Sequence, residues 1–140
     1  MTQNFANHRR LVPLYHFVLA ALVAGTLVHA ARTLLPLTQQ SFWQMVLATA
    51  LALATWFIRQ FPIGVQDRVI RLEERLRLAR LAPDLAAQVE SVTPGQWAAL
   101  RFASDAELPA LAADVVAGKL VKPDDIKRAV KNWRADAMRV

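Results

Sequence analysis

The sequence of 140 residues contains no cysteine. This absence excludes disulfide frameworks, thiolate-bound zinc, iron–sulfur clusters and cysteine nucleophiles. Acidic residues are also absent from the first 66 positions, because all 11 aspartates and glutamates lie later in the chain. The length allows one ordinary domain. The net charge of +6 can indicate nucleic-acid binding, a membrane surface or only membrane topology.

Two long apolar runs lie within the acid-free part. Residues 11–31 and residues 42–58 carry no formal charge over 21 and 17 positions. Because a bilayer core needs about 20 helical residues, with a lower limit of about 17, both runs are long enough to span it. Buried helices of a soluble protein are the alternative, but these normally have one polar face, which neither run shows. The sequence therefore predicts two transmembrane helices.

The arginines predict the topology. Arg9 and Arg10 precede the first run, Arg59 and an arginine series follow the second, and the connection holds only Arg32. By the positive-inside rule, both termini are cytoplasmic. A signal peptide ending at residues 28–30 is the alternative for the first run. Even then, the second run and its arginines would keep the C-terminal part inside.

Beyond the spans, a turn or kink is predicted at residues 61–64, because proline removes a backbone donor and glycine loosens the backbone. Residues 65–81 are then predicted to form an amphipathic helix with two apolar strips on roughly opposite sides. One strip would pack on the same chain and the other on a second copy or a partner subunit. The first strip has the spacing of a short coiled-coil seam and consists of Val65, Val69, Leu72 and Leu76. The second consists of Ile70, Leu78 and Leu81.

The last part of the chain is electroneutral and is predicted to form short helices. Residues 93–96 and 104–107 have the pattern of capping boxes. A final helix is predicted to begin at Pro123 and to continue through Trp133 to Ala137. One face of this helix is apolar and includes Trp133 and Ala137. The opposite face is basic, with Lys127, Arg128, Lys131 and Arg134.

The predicted fold is thus all-α. It consists of a cytoplasmic N-terminus (1–10), a transmembrane hairpin (11–61), a juxtamembrane amphipathic helix (62–82) and a small cytoplasmic helical domain (83–140). The predicted partners are the lipid bilayer and either a second copy or another membrane protein, and not nucleic acid. Headgroup contacts are expected from Arg9, Arg10, Arg59, Arg68, Arg71 and Arg75. Helix packing is expected at Ala21, Gly25, Ala48 and Ala52, whose small-residue spacing lets helices approach closely, and along the coiled-coil seam.

The sequence contains no pattern that indicates catalysis. It has no glycine-rich phosphate loop, no HExxH and no GxSxG, so we predict no enzyme, no cofactor and no metal site. His16 and His29 are intramembrane imidazoles and therefore candidates for haem ligands. Thirteen residues separate them, which puts them on different sides of their helix. A haem would consequently need histidines from another subunit.

Four blocks of the sequence resemble a family of small bacterial membrane proteins known only as a domain of unknown function. They are NHRRLVPLYH at 7–16, QDRVIRLEERLR at 66–77, RFASD followed by LP at 101–109, and IK followed by WRAD at 126–136. The resemblance covers essentially the whole chain. It implies a two-span protein of the bacterial cytoplasmic membrane, and it supplies no activity.

These observations predict a non-enzymatic structural or accessory protein that self-associates or joins a larger membrane complex. An oligomeric pore is the first alternative, in which Thr26, Gln44, Thr49 and Thr55 would line a lumen. A haem-carrying membrane subunit is the second.

Overall fold

The computed structural model describes residues 3–7 and 11–136. Within these residues every regular element is a helix and no β-strand occurs, which confirms the predicted all-α class. A π-helical turn at Leu14–Leu19 leads into helix α1, Ala20–Arg32, and helix α2 is Gln39–Leu81. The short helices are α3 (Pro83–Ala86), α4 (Pro94–Leu100), α5 (Leu108–Val116) and α6 (Pro123–Ala129), with a 3₁₀ turn at Val89–Ser91.

The described residues form two compact units. The first is Leu11–Ile63, a helical hairpin. The second contains residues 3–7 and 64–136 and is called the C-terminal unit below. Helix α2 contributes its first part to the hairpin and its last part to the C-terminal unit.

The hairpin is held together by small side chains and by a hydrogen bond between its helices. Ala30 and Ala48 are its most buried apolar residues, with 2% and 4% of their surface exposed. The Tyr15 hydroxyl donates to the carbonyl of Thr55 over 2.7 Å. A buried donor that finds a carbonyl in this way avoids the cost of an unpaired polar group. Most other side chains of the hairpin point outward.

Of the turn or kink predicted at residues 61–64, the turn does not form, and the kink stays a prediction. Helix α2 runs without a break for 43 residues and contains Pro62 in its interior. A proline inside a helix removes one backbone hydrogen bond and often bends the helix, but it need not end it. The following residues, Val65 to Leu81, include strong helix formers such as leucine, glutamate and arginine. The predicted boundary between 11–61 and 62–82 therefore lies within one helix.

The C-terminal unit has a continuous apolar core. Leu78 of α2 is fully buried there, together with Trp97 of α4 and Ile126 of α6. The capping box at residues 93–96 is confirmed, because Gln96 Oε1 accepts from the Thr93 amide at 2.8 Å. The helical spacing of four apolar residues predicts one buried stripe along α5, and the structure buries all four. They are Leu108, Leu111, Ala112 and Val115.

Helix α6 is shorter than the sequence pattern predicts. It ends at Ala129, and Ala137 lies outside the described residues. Trp133 instead forms an isolated antiparallel bridge with Ala103, and its ring packs 4.8 Å from that of Phe102. A helix face and this bridge can each pack Trp133 against the core, where it is half-buried, so the periodicity alone could not separate them. The basic residues expected on one helix face are consequently split between α6 and the segment after it.

Candidate functional site

The coiled-coil seam of α2 is exposed. Its four side chains, Val65, Val69, Leu72 and Leu76, have 48% to 62% of their surface accessible. Apart from Phe5, Leu81 and Val121, they are the exposed large hydrophobic residues of the C-terminal unit within the described chain. Clustered exposure of this kind marks an interaction surface more often than scattered single residues do.

The opposite strip of the same helix packs into the C-terminal unit. Ile70 is 8% exposed and Leu78 is fully buried, whereas Leu81 at the helix end stays 40% exposed. Two of the three residues thus act as the sequence predicts for a strip bound to its own chain. This arrangement fixes the rotation of α2 and leaves the seam facing outward.

A buried ion cluster anchors α2 to the same core. The i,i+4 spacing of Glu73 and Arg77 predicts an ion pair between them, but the structure pairs Arg77 with Glu74 at 2.9 Å. The Arg77 guanidinium also donates to the Asp105 carboxylate at 2.6 Å and to the Ala103 carbonyl at 2.7 Å. The Arg77 and Glu74 side chains are only 6% and 5% exposed. Because Arg77 turns inward, Glu73 remains exposed and forms no ion pair with any described residue.

An open groove with a volume of about 740 Å³ lies beside this cluster. It is bordered by Gln3 and Asn4, the end of α2, the segment before α5 and the segment after α6. Four cationic side chains and one carboxylate line it. They are Arg77, Arg80, Lys131, Arg134 and Asp105.

The charges of the groove converge on Asp105. Its hydrogen bond with Arg77 holds the pKa of this carboxyl below its usual value, and the positive charge of Arg77 acts in the same direction. Slight desolvation opposes the shift, while Arg134 and Arg80 add to it. Three guanidinium groups are therefore near one exposed carboxylate, and positive charge remains in excess.

Ser104 does not act as the predicted helix cap. The residue that precedes α5 is Glu107, and no side chain caps this helix. Ser104 Oγ is instead buried and has no hydrogen-bond partner, although the residue lines the groove. Glu107 bonds the Asn132 amide through both carboxylate oxygens, at 3.2 and 3.1 Å. The capping pattern was therefore misleading, because the tertiary structure engages Glu107 elsewhere.

The small residues predicted to pack helices fall into two groups. Ala48 is buried and Ala52 half-buried in the hairpin. Ala21 and Gly25 are exposed, and a methyl group added at Gly25 would meet no atom within 4 Å. The first pair packs within the chain, and the second faces outward.

The two candidate haem ligands do not come together in one chain. His16 Nδ1 lies 3.1 Å from the amide nitrogen of Val12, one turn earlier in the chain. His29 lies 13 positions further along the helix, which corresponds to about 20 Å. The described residues contain no cluster of three or more histidine, cysteine or acidic side chains that could hold a metal ion.

The residues considered for a lumen do not share one helix face. Gln44 and Thr55 are half-buried, whereas Thr26 and Thr49 are exposed. The hydroxyls of Thr26 and Thr55 each donate to a carbonyl of the preceding turn, both at 2.8 Å. A single chain therefore offers no continuous polar surface along the hairpin.

Residues 1–140 match a protein family that is described as a family of unknown function, DUF6526. The chain belongs to the DUF6526 family. This confirms the resemblance to a family without known function and its extent over the whole chain. Comparisons with curated proteins and with solved structures give no match. Any function for this DUF6526 member must therefore be inferred from its own geometry.

The predicted headgroup arginines of this DUF6526 chain differ in their surroundings. Arg9 and Arg10 lie outside the described residues, and Arg59 is half-buried. Arg68 is exposed, and the half-buried Arg71 and Arg75 lie on the same part of α2. None of these last three forms an ion pair within the described chain.

Sequence reasoning missed the basic groove. Its cations lie more than 50 positions apart, at Arg80 and at Lys131 with Arg134. The helical pattern placed the last two on a continuous α6 face, which α6 is too short to form. Ser104 lines the groove, but in the sequence its position fitted a capping box and gave no separate indication of a groove.

Proposed function

We propose that the chain is a non-enzymatic accessory protein of the bacterial cytoplasmic membrane, anchored by its hairpin and self-associating through the seam on α2. The observation that carries the self-association is the exposed seam opposite a buried strip. The proposed occupant of the seam is a second copy of this chain.

The surface of the hairpin supports membrane insertion. Two helical stretches, Leu14–Arg32 and part of Gln39–Leu81, are long and apolar enough to cross a bilayer. A core helix of a soluble protein would be mostly buried, but few residues in these stretches are. Phe17, Leu22 and Trp56 are each more than 60% exposed. Apolar surface of this extent is stable in lipid and would aggregate in water.

Topology can be tested because the chain has no cysteine. A single Leu37→Cys variant in intact cells should react with a membrane-impermeant maleimide, since Leu37 lies in the exposed connection of the hairpin. Ser91→Cys, in the 3₁₀ turn of the C-terminal unit, should react only after permeabilisation. The reverse pattern, or equal labelling of both before permeabilisation, contradicts the proposed orientation.

Charges beside the seam favour a parallel pair of α2 helices. In heptad terms Val69 and Leu76 occupy a positions, with Val65 and Leu72 at d, and a β-branched residue at a followed by leucine at d favours two strands. The charged residues flanking the seam are then Arg68, Glu73, Arg75 and Arg80.

In a parallel pair, Arg68 of each copy faces Glu73 of the other, because residues five apart meet across such an interface. An antiparallel pair would place Arg68 against Arg75, two like charges. Arg68 and Glu73 are exposed and form no ion pair within the described chain, so both are available. The parallel alignment also brings Arg75 near Arg80, which offsets part of the gain and keeps the association weak.

Disulfide cross-linking in membranes tests this interface. Val69→Cys should give a disulfide-linked dimer of the full chain under mild oxidation. Arg71→Cys is the matched control, two residues away and off the seam, and should give little dimer. Equal cross-linking of the two variants would indicate random collision, and linkage of Val69→Cys to a different protein would exclude the second copy as occupant.

Charge reversal in the Val69→Cys background tests the register. Arg68→Glu and Glu73→Arg should each reduce the dimer yield, because each places like charges across the interface. The combination Arg68→Glu with Glu73→Arg should restore it. If the double variant is as poor as the single variants, the proposed parallel register is wrong.

A further inference from the structure

We propose that the basic groove of the C-terminal unit binds a phosphate group, carried by a lipid headgroup or by a small soluble molecule. The groove contains none of the four apolar seam residues of α2, although Arg80 lines the groove and also flanks the seam. Phosphate binding in the groove does not require self-association. The proposal rests on the incompletely paired cations of the groove, on its single carboxylate, which is already bonded to Arg77, and on the unpaired hydroxyl of Ser104.

The cations of the groove are incompletely paired. Arg80 and Lys131 are exposed and form no ion pair within the described chain. Arg134 is 55% exposed and reaches Glu74 only at 3.4 Å. The guanidinium of Arg77 is already bonded to Glu74, Asp105 and Ala103. Arg77 is therefore structural, and three further cations are available to a ligand.

The one carboxylate of the groove does not neutralise it. Asp105 is bonded to Arg77, and three arginines lie close enough to lower the pKa of its side chain. An additional anion would approach a surface with more positive than negative charge. A tetrahedral oxyanion suits several guanidinium and ammonium donors at once, because each of its oxygens accepts hydrogen bonds.

Ser104 distinguishes this groove from an ordinary basic surface. Solvated lysines and arginines need no further explanation, but a buried hydroxyl without a partner does. Ser104 lines the groove, and the proposal requires its side chain to adopt a staggered rotamer in which Oγ faces the opening. A bound oxygen atom would then accept its hydrogen bond.

The dimensions of the groove fit a small phosphate-bearing group. Its volume of about 740 Å³ exceeds that of a phosphate ion and leaves space for the group attached to it. Trp133 forms part of the wall, and an apolar portion of the attached group could pack against it. The volume is within the range of small-molecule sites.

Calorimetric titration of the full chain with inorganic phosphate, in zwitterionic nanodiscs at low ionic strength, tests the proposal. Saturable binding to one site is expected. The double variant Arg80→Gln with Lys131→Gln should bind about tenfold more weakly or worse, because two charge-assisted contacts are lost. The control is Lys119→Gln with Lys122→Gln, which removes the same charge from the same unit outside the groove and should change affinity by less than about twofold.

Ser104→Ala separates a built site from a diffuse positive field. It leaves the charge unchanged, so a field alone predicts no effect, whereas the proposed hydrogen bond predicts about threefold to tenfold weaker binding. Absence of saturable phosphate binding, equal losses in the two double variants, or full affinity in Ser104→Ala would each overturn the proposal.

The same titration identifies the source of the phosphate. In nanodiscs that contain phosphatidylglycerol, an occupying headgroup should compete with inorganic phosphate and lower its apparent affinity for the unmodified chain. Full affinity in these nanodiscs would instead assign the groove to a soluble phosphorylated molecule. Both results require phosphate binding that is lost in the double variant Arg80→Gln with Lys131→Gln. Either result therefore supports the phosphate site.

Discussion

Replacement of Arg77 by methionine is expected to lower the free energy of unfolding of the C-terminal unit by about 3–5 kcal/mol. Methionine keeps much of the aliphatic length but removes the guanidinium. Glu74, whose side chain is 5% exposed, would then be left with only the longer contact to Arg134. A buried carboxylate without a close cation is costly, and the Ala103 carbonyl also loses its donor.

The measurement requires a signal from the C-terminal unit alone. The chain has four tryptophans, of which Trp43 and Trp56 lie in the hairpin and Trp97 and Trp133 in the C-terminal unit. A reporter chain with Trp43→Phe and Trp56→Phe emits only from the latter. Urea denaturation of this full-length reporter in micelles, followed by tryptophan emission, gives the free energy of unfolding.

Arg75→Met is the matched control for Arg77→Met. Arg75 is on the same helix, is half-buried and forms no ion pair within the described chain, so its replacement should change stability by less than about 1 kcal/mol. Adding Glu74→Leu to Arg77→Met should recover at least half of the loss, because the stranded charge is removed. If the double variant instead loses as much stability as the two single substitutions added together, the cluster does not act through paired charge.

Leu78→Ala is expected to destabilise the C-terminal unit by about 2–5 kcal/mol, the range for truncating a fully buried leucine. Leu78 has no exposed surface and belongs to the main apolar core. Truncation removes apolar contacts and leaves a cavity between α2 and the short helices. Leu76, two positions earlier, is 59% exposed, so Leu76→Ala should cost less than about 1 kcal/mol.

The comparison of these two leucines decides whether α2 has the predicted division of roles. Denaturation of the same reporter chain measures both, at a protein concentration low enough to limit self-association. Cross-linking of each variant in the Val69→Cys background measures the effect on the dimer, for which Leu76 is expected to matter directly. Leu76→Ala should weaken the dimer, and Leu78→Ala should affect it mainly through loss of folding. Similar losses of stability in the two variants would contradict the rotation of α2 seen in the structure.

Several elements were predictable because their signals are local. The apolar runs, the capping box at Thr93 and Gln96, and the stripe of α5 depend on residues within a few positions of one another. Helical periodicity and capping act over that distance. The two strips of α2 were predictable for the same reason, since their spacing places them on opposite sides.

Other expectations were wrong, and two of them failed because distant residues compete. The turn predicted at residues 61–64 does not form, because one hydrogen bond lost at Pro62 did not outweigh the helix-forming residues after it. Ser104 fitted a cap and Trp133 fitted a helix face, yet Glu107 bonds Asn132 and Trp133 pairs with Ala103. In both cases a tertiary contact replaced the local one.

The sequence by itself determined the all-helical class, the positions of the apolar runs and the membership of a family without known function. It also placed the excess positive charge in the first 80 residues and left residues 81–140 electroneutral. Only the tertiary structure decided which strip of α2 is buried, which carboxylate Arg77 binds, and that Arg80, Lys131 and Arg134 border one groove. The physical reason is that periodicity fixes which side chains share a face, whereas burial, pairing and convergence depend on segments that folding brings together from distant positions.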